Sequence, residues 1–159
     1  MVIHPNLAHP GFHIFGARLE DRISEQACRL MEKPIASVHV DIPYRNHMNF
    51  WKSFKDIDFL NPLSITLCLS LPESGGGLNV WHKLNKTAIF QGHEMIDFNF
   101  NRTMLKDPEY IPYTTGFIYV SSGHRIHQIA PANQMLPTDR RITLQAHALK
   151  CDGIWQLFF

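Results

Sequence analysis

"GFIYVSSGHRIHQIAP" (residues 116–131) holds two short apolar runs, a Ser-Ser-Gly break between them and a terminal proline. Runs of this length, rich in Ile, Val, Phe and Tyr and bounded by turn residues, read as β-strands. Two histidines stand three apart around the start of the second run. An imidazole has two nitrogens to satisfy, so it enters an apolar strand where a partner waits for it. The odd spacing sends His124 and His127 to opposite faces of a regular strand, and one of them can be an inward ligand. His127 sits on the strand itself, in "HQIAP", and is the residue we assign to that role. His124 lies at the turn beside Gly123, which suits a solvent-facing or ligand-supporting position.

Outward from this stretch the same pattern continues. Strands are predicted over "GFHIF" (11–15), "IASVHVDI" (35–42), "LSITLCLSL" (63–71), "GGGLNVW" (75–81), "TAIFQG" (87–92), "EMIDFNF" (94–100), "RRITLQAHAL" (140–149) and "IWQLFF" (154–159). Helical periodicity is confined to "ARLEDRISEQACRLMEK" (17–33), where Leu19, Ile23, Ala27, Leu30 and Met31 share a face until Pro34 stops it. A weaker helical turn falls around "WKSFKDIDFL" (51–60). A parallel sheet needs crossover helices between its strands, and the sequence after residue 62 offers none. The expectation is a mainly β antiparallel sandwich or barrel with one early flanking helix, forming a single domain over residues 1–159.

Composition narrows the function classes. The 159-residue chain is 45% hydrophobic and 18% charged, with a formal charge of +1. That balance argues against nucleic acid or an anionic membrane as the main partner. No apolar run approaches the roughly 20 residues a membrane span needs. The start, "MVIHPNLAHPGF", lacks the form of a signal peptide. Cys28, Cys68 and Cys151 are widely spaced and odd in number, which favours reduced thiols and a cytoplasmic setting. Ten histidines are a reason to look for metal.

Three further elements carry chemistry. In "SVHVDIP" His39 and Asp41 are two apart, so a strand aims both at one cavity, where they supply adjacent sites on an ion. With one late histidine they make two imidazoles and a carboxylate, the facial triad of non-haem Fe(II) oxygenases. In "RRITL" Arg141 and Thr143 share a face, and a buried guanidinium with a hydroxyl suits a carboxylate. Arg140 has the opposite parity. In "LPESGGGLNVW" three consecutive glycines call for a tight turn or close backbone approach. No Gly-Lys-Ser/Thr follows, so a phosphate loop is excluded.

The order of these pieces resembles the Fe(II)- and 2-oxoglutarate-dependent oxygenases. "HVD" (39–41), "ITLCLSLPESGGGLNVW" (65–81), "GFIYVSSGHRIHQIAP" (116–131) and "RRITL" (140–144) follow one another as that family's motifs do, across about residues 11 to 149. The resemblance implies a double-stranded β-helix, also called a jelly roll and shared with cupins. It implies Fe(II) on His39, Asp41 and His127, the distal carboxylate of 2-oxoglutarate on Arg141 and Thr143, and dioxygen as oxidant. His127 is the residue that matches the family's "H-x-hydrophobic-x-P" position. Related halogenases replace the carboxylate ligand with a small residue, so Asp41 points to hydroxylation, desaturation or ring closure. The loop "PANQMLPTD" before Arg141 is longer than the family pattern, and little helix precedes "HPGFHIF". The latter leads us to expect a homo-oligomer or a partner subunit supporting the outer sheet.

For substrate, a small metabolite such as an amino acid derivative or natural-product intermediate is expected. Tyr44, which follows the H-x-D segment, and Asn79 and Trp81, which follow the glycines, are candidate contacts. His13 and His93 are read as supporting or surface residues, and His147 as packing on the Arg141 face. The alternatives are a cupin-type metalloprotein without 2-oxoglutarate and an inactive jelly-roll binding module. Cupin sites draw on three histidines and a glutamate, which is not the set found here.

Overall fold

A computed structural model describes residues 1–15, 28–29, 32–33, 36–81 and 107–159. Its strands are β1 (Val2–Ile3), β2 (Gly11–Phe15), β3 (Ile57–Ser70), β4 (Leu78–Trp81), β5 (Glu109–Ile111), β6 (Ile118–Ser122), β7 (Ile126–Ile129), β8 (Arg141–Cys151) and β9 (Ile154–Phe158). A 3₁₀ turn, Pro43–His47, leads into the single-turn helix α1 (Met48–Trp51). The protein is mainly β, as expected. The early helix predicted over 17–33 lies almost wholly outside the described residues. What is described there, a bond from Glu32 N to the Cys28 carbonyl at 3.2 Å, has helical spacing. The strands predicted over 87–92 and 94–100, and His93, also lie outside them.

Two sheets are formed. In the larger, β8 is the spine: β3 runs antiparallel along one side, and β2 and β9 divide the other. β6 pairs with the far side of β3, and β1 lies parallel to β9. The smaller sheet has the order β5-β4-β7, all antiparallel. Of the segment predicted as strand 35–42, the described residues 36–42 form no strand. They touch β7 through one bridge, with His39 N on the His127 carbonyl at 3.0 Å and His127 N on the His39 carbonyl at 2.9 Å. Asp41 N then bonds the Gly123 carbonyl at 2.7 Å, outside any ladder. The cause is that the segment is bounded by Pro34 and Pro43 and turns from the small sheet toward the large one, which leaves no continuous partner.

β3 begins earlier than predicted and runs through Pro62, which has no N–H for a ladder bond. The register shifts between Asp58 and Leu63 around it. Pro62 instead accepts Gly123 N at 2.8 Å, tying the turn before β7 to the large sheet.

The odd-numbered face of β8 explains where the site lies. From Arg141 it runs through Thr143, Gln145 and His147, then changes to Leu149 and Cys151. The apolar end joins Leu7, Tyr44, Trp51 and Phe158 in the main buried core, beneath the helical turn. Each large side chain buried there contributes about 1.5–3 kcal/mol. The polar end faces a cavity. On the outer face Phe12, Leu144, Leu67 and Ile118 align across four strands by register, with Phe12 63% and Ile118 62% exposed. All three cysteines are free and buried. Among the described residues no helix is long and apolar enough to cross a membrane.

Candidate metal centre

His39, Asp41 and His127 come together from the bridging segment and β7, with a ligand atom of each within 4.8 Å of the others. His39 Nε2 lies 3.5 Å from Asp41 Oδ1, and His127 Nε2 lies 3.4 Å from Asp41 Oδ2. The two rings are 4.4 Å apart between centroids. Each Nδ1 faces a carbonyl two residues earlier: Ser37 at 2.7 Å for His39 and Arg125 at 2.8 Å for His127. A carbonyl only accepts, so each Nδ1 holds a proton, and Nε2 is the nitrogen turned toward Asp41. Burial pushes His127 below the ordinary imidazole range, against the pull of Asp41. Two Nε2 atoms and a carboxylate therefore converge on one point. In its neutral form each Nε2 offers a lone pair, and the donor set suits a divalent transition metal with open positions.

Ser64 on β3 donates its hydroxyl to Asp41 Oδ2 at 2.5 Å. It fixes the carboxylate from the large sheet while the imidazoles are fixed from the small one.

Arg141 is 1% exposed at the polar end of β8. Its Nε donates to the Gly76 carbonyl at 2.8 Å, while Nη1 has no hydrogen-bond partner among the described residues. Its guanidinium carbon lies 5.6 Å from the Phe15 ring centroid and 5.8 Å from that of Tyr113. The glycine run serves this contact. Gly75 and Gly76 turn at φ of 84° and 72°, which side chains disfavour, and so present the Gly76 carbonyl to Arg141. A buried guanidinium with an orphaned nitrogen is costly unless an anion completes it.

The triad and Arg141 line one cavity of about 410 Å³. Its walls include Tyr113 beside Arg141, Thr66 and Gln145 further along, and the apolar Leu78, Val80 and Ile129. Burial pushes the Tyr113 phenol up to about 12, so it stays a donor, and it shares a side-chain hydrogen bond with Thr66. His13 also lines the cavity, held below its usual range by burial and then by Arg141.

The predicted site residues fall into two groups. His39, Asp41, His127 and Arg141 are brought together. Thr143 is fully buried between Cys68 and His13 on the Arg141 face, but it does not line the cavity and its hydroxyl has no described partner. Asn79 and Trp81 do not line this cavity: the register pairs Val80 with His127, and Leu78 and Val80 face it. Tyr44 does not line it either. It is 2% exposed in the apolar core, and its hydroxyl bonds His124 Nε2 at 2.9 Å. His124 is thereby buried, not solvent-facing. His147 packs against Phe158 and Phe159, as its face predicts.

Ser64, Thr66 and Tyr113 were not singled out from sequence. The first two were findable, since "LSITLCL" alternates Ser64, Thr66 and Cys68 on one face. Tyr113 lies in a loop with no periodicity to place it. Comparison with protein-family models and with characterised protein sequences yields no match.

Proposed function

We propose that the chain is a non-haem Fe(II)- and 2-oxoglutarate-dependent dioxygenase that hydroxylates or otherwise oxidises an unactivated C–H bond of a small molecule. The observation that carries this reading is the placement of a convergent His-Asp-His cluster and a buried, incompletely bonded arginine in one cavity. A metal alone would account for the cluster. It gives no use to Arg141, which is why a cupin without an acidic cosubstrate is the weaker reading.

We read the two sheets as the walls of a double-stranded β-helix. One wall is β2-β8-β3-β6, and the other is β5-β4-β7 extended by the His39 bridge. Iron, when bound, supplies the activation of dioxygen and the removal of hydrogen from carbon. The chain's residues do the rest. His39, Asp41 and His127 hold the ion, and their carbonyl and Ser64 partners keep the donor atoms aimed. Arg141 takes the distal carboxylate of 2-oxoglutarate as a paired, charge-assisted contact, with the Tyr113 and Thr66 hydroxyls beside it. Leu78, Val80 and Ile129 keep water from the reacting carbon. The exposed apolar row on the outer face supports the expected homo-oligomer or partner subunit there.

The test is direct. Purified protein given Fe(II), ascorbate and 2-oxoglutarate in air should release succinate, and His127→Ala should not. Under anaerobic conditions the same components should give a visible charge-transfer band. Absence of both from the wild-type protein overturns the reading.

A further inference from the structure

Arg141 is not the cavity's only guanidinium. Arg125 immediately precedes β7, two residues from His127, and its side chain lines the same cavity. At strand spacing its Cα stands roughly 6.5 Å from that of the ligand. The two cations flank the metal cluster from opposite ends. Beyond His127, β7 runs to Ile129 and Ala130, whose N–H bonds the Gly77 carbonyl at 3.1 Å, next to the Gly76 carbonyl that holds Arg141. Arg125 therefore lies at the far end, where Ser37 and Ser121 also line the wall. Its guanidinium makes no hydrogen bond or ion pair with any of the described residues, whereas its carbonyl is occupied by His127 Nδ1.

Charge counting gives this arrangement a meaning, on the dioxygenase reading above. Asp41 is the only carboxylate among the cavity's described walls. Two guanidiniums and a divalent ion outweigh it by three charges, and neutral imidazoles add none. Doubly charged 2-oxoglutarate answers two of the three. One positive charge remains, on a side chain partly withdrawn from solvent, and an uncompensated charge there is costly. The unanswered cation is the one that Arg141 and the cosubstrate do not use.

We propose that Arg125 is a substrate-binding residue and that the substrate is a small molecule carrying one carboxylate, which pairs with the Arg125 guanidinium while the carbon to be oxidised lies over the metal. The cavity of about 410 Å³ is at the small end of ligand sites and must also hold the cosubstrate, which limits the substrate to a compact acid. A planar guanidinium favours a carboxylate through two parallel hydrogen bonds, a match that a neutral amide cannot make.

The experiment uses wild-type protein saturated with Mn(II), a redox-silent stand-in, and 2-oxoglutarate. A panel of small carboxylic acids, amino acids included, is titrated by calorimetry, each acid beside its primary amide. At least one acid should bind about tenfold or more tightly than its amide, the scale of a charge-assisted contact. Arg125→Gln should bring that acid down to the level of the amide, and Arg125→Lys should restore part of the preference. A panel in which no acid outbinds its amide overturns the proposal, as does a preference that survives in Arg125→Gln. Should Arg125→Gln not fold, an undiminished preference in Arg125→Lys overturns it equally. A wild-type protein that takes up neither Mn(II) nor 2-oxoglutarate removes the dioxygenase reading and this one together. Uptake of both without acid preference removes this one alone.

Discussion

Ser64 shows how a residue of ordinary appearance shapes a candidate metal site. Its hydroxyl is the described hydrogen-bond donor to Asp41 Oδ2, and without it that carboxylate is free to rotate away from the imidazoles. Ser64→Ala is expected to weaken metal affinity by roughly 10- to 100-fold, the usual effect of removing a ligand's hydrogen-bond partner, as read by calorimetry with Mn(II). His124 and His127 separate in the same assay. His127→Ala should abolish metal uptake. His124→Ala should retain it and lower unfolding free energy by about 1–3 kcal/mol, because Tyr44 loses its buried partner. Arg141→Ala should keep the metal and raise the 2-oxoglutarate requirement roughly tenfold or more. Arg140→Ala should leave that requirement unchanged, since Arg140 has the outward parity and does not line the cavity.

Among the elements, the turn between β6 and β7 carries the most consequence for the least sequence. Gly123 donates to Pro62 on one sheet and accepts from Asp41 on the ligand segment. A Cβ at this position would meet the Asp41 carbonyl at 2.6 Å, closer than any side chain tolerates. Gly123→Ala should therefore displace Asp41, cost about 1–3 kcal/mol in denaturant unfolding and lower metal affinity in parallel. Elements that repeat a period were legible: β2 matches its prediction residue for residue, and β7, β8 and β9 match within two residues. The inward face of β8 was readable as well, because period two lays out Arg141, Gln145 and Leu149 along one line. What was not legible depends on partners far along the chain. Asn79 and Val80 are equally plausible inward residues until pairing with His127 selects Val80. Residues 35–42 have strand-like composition, yet geometry grants them only one bridge. Tyr113 reaches Arg141 from a loop that alternation does not describe, and it is placed by its stacking on Tyr119 at 4.3 Å.

For the molecule as a whole, the centre stands where two sheets meet, and both supply it. The smaller sheet positions His39 and His127, the larger supplies Ser64 and Arg141, and Asp41 is held between them. Binding of a metal there would accordingly be a folding event for the region. A divalent ion at a hundred times its Kd should add about 2.7 kcal/mol to stability. For a domain of this size that raises Tm by roughly 5–10 °C, and a chelator should reverse the gain.

The single bridge that joins His39 to His127 has a further consequence. Two of the three donors ride on a stretch fastened by a handful of backbone bonds, while the third belongs to a paired strand. In the metal-free protein the amides of His39 and Asp41 should take up deuterium far sooner than those of β8, for opening them disturbs little else. Loading the ion would stitch that stretch to its neighbour, and its exchange should slow toward the rate of the strands. The ion would then be a clasp between the two sheets.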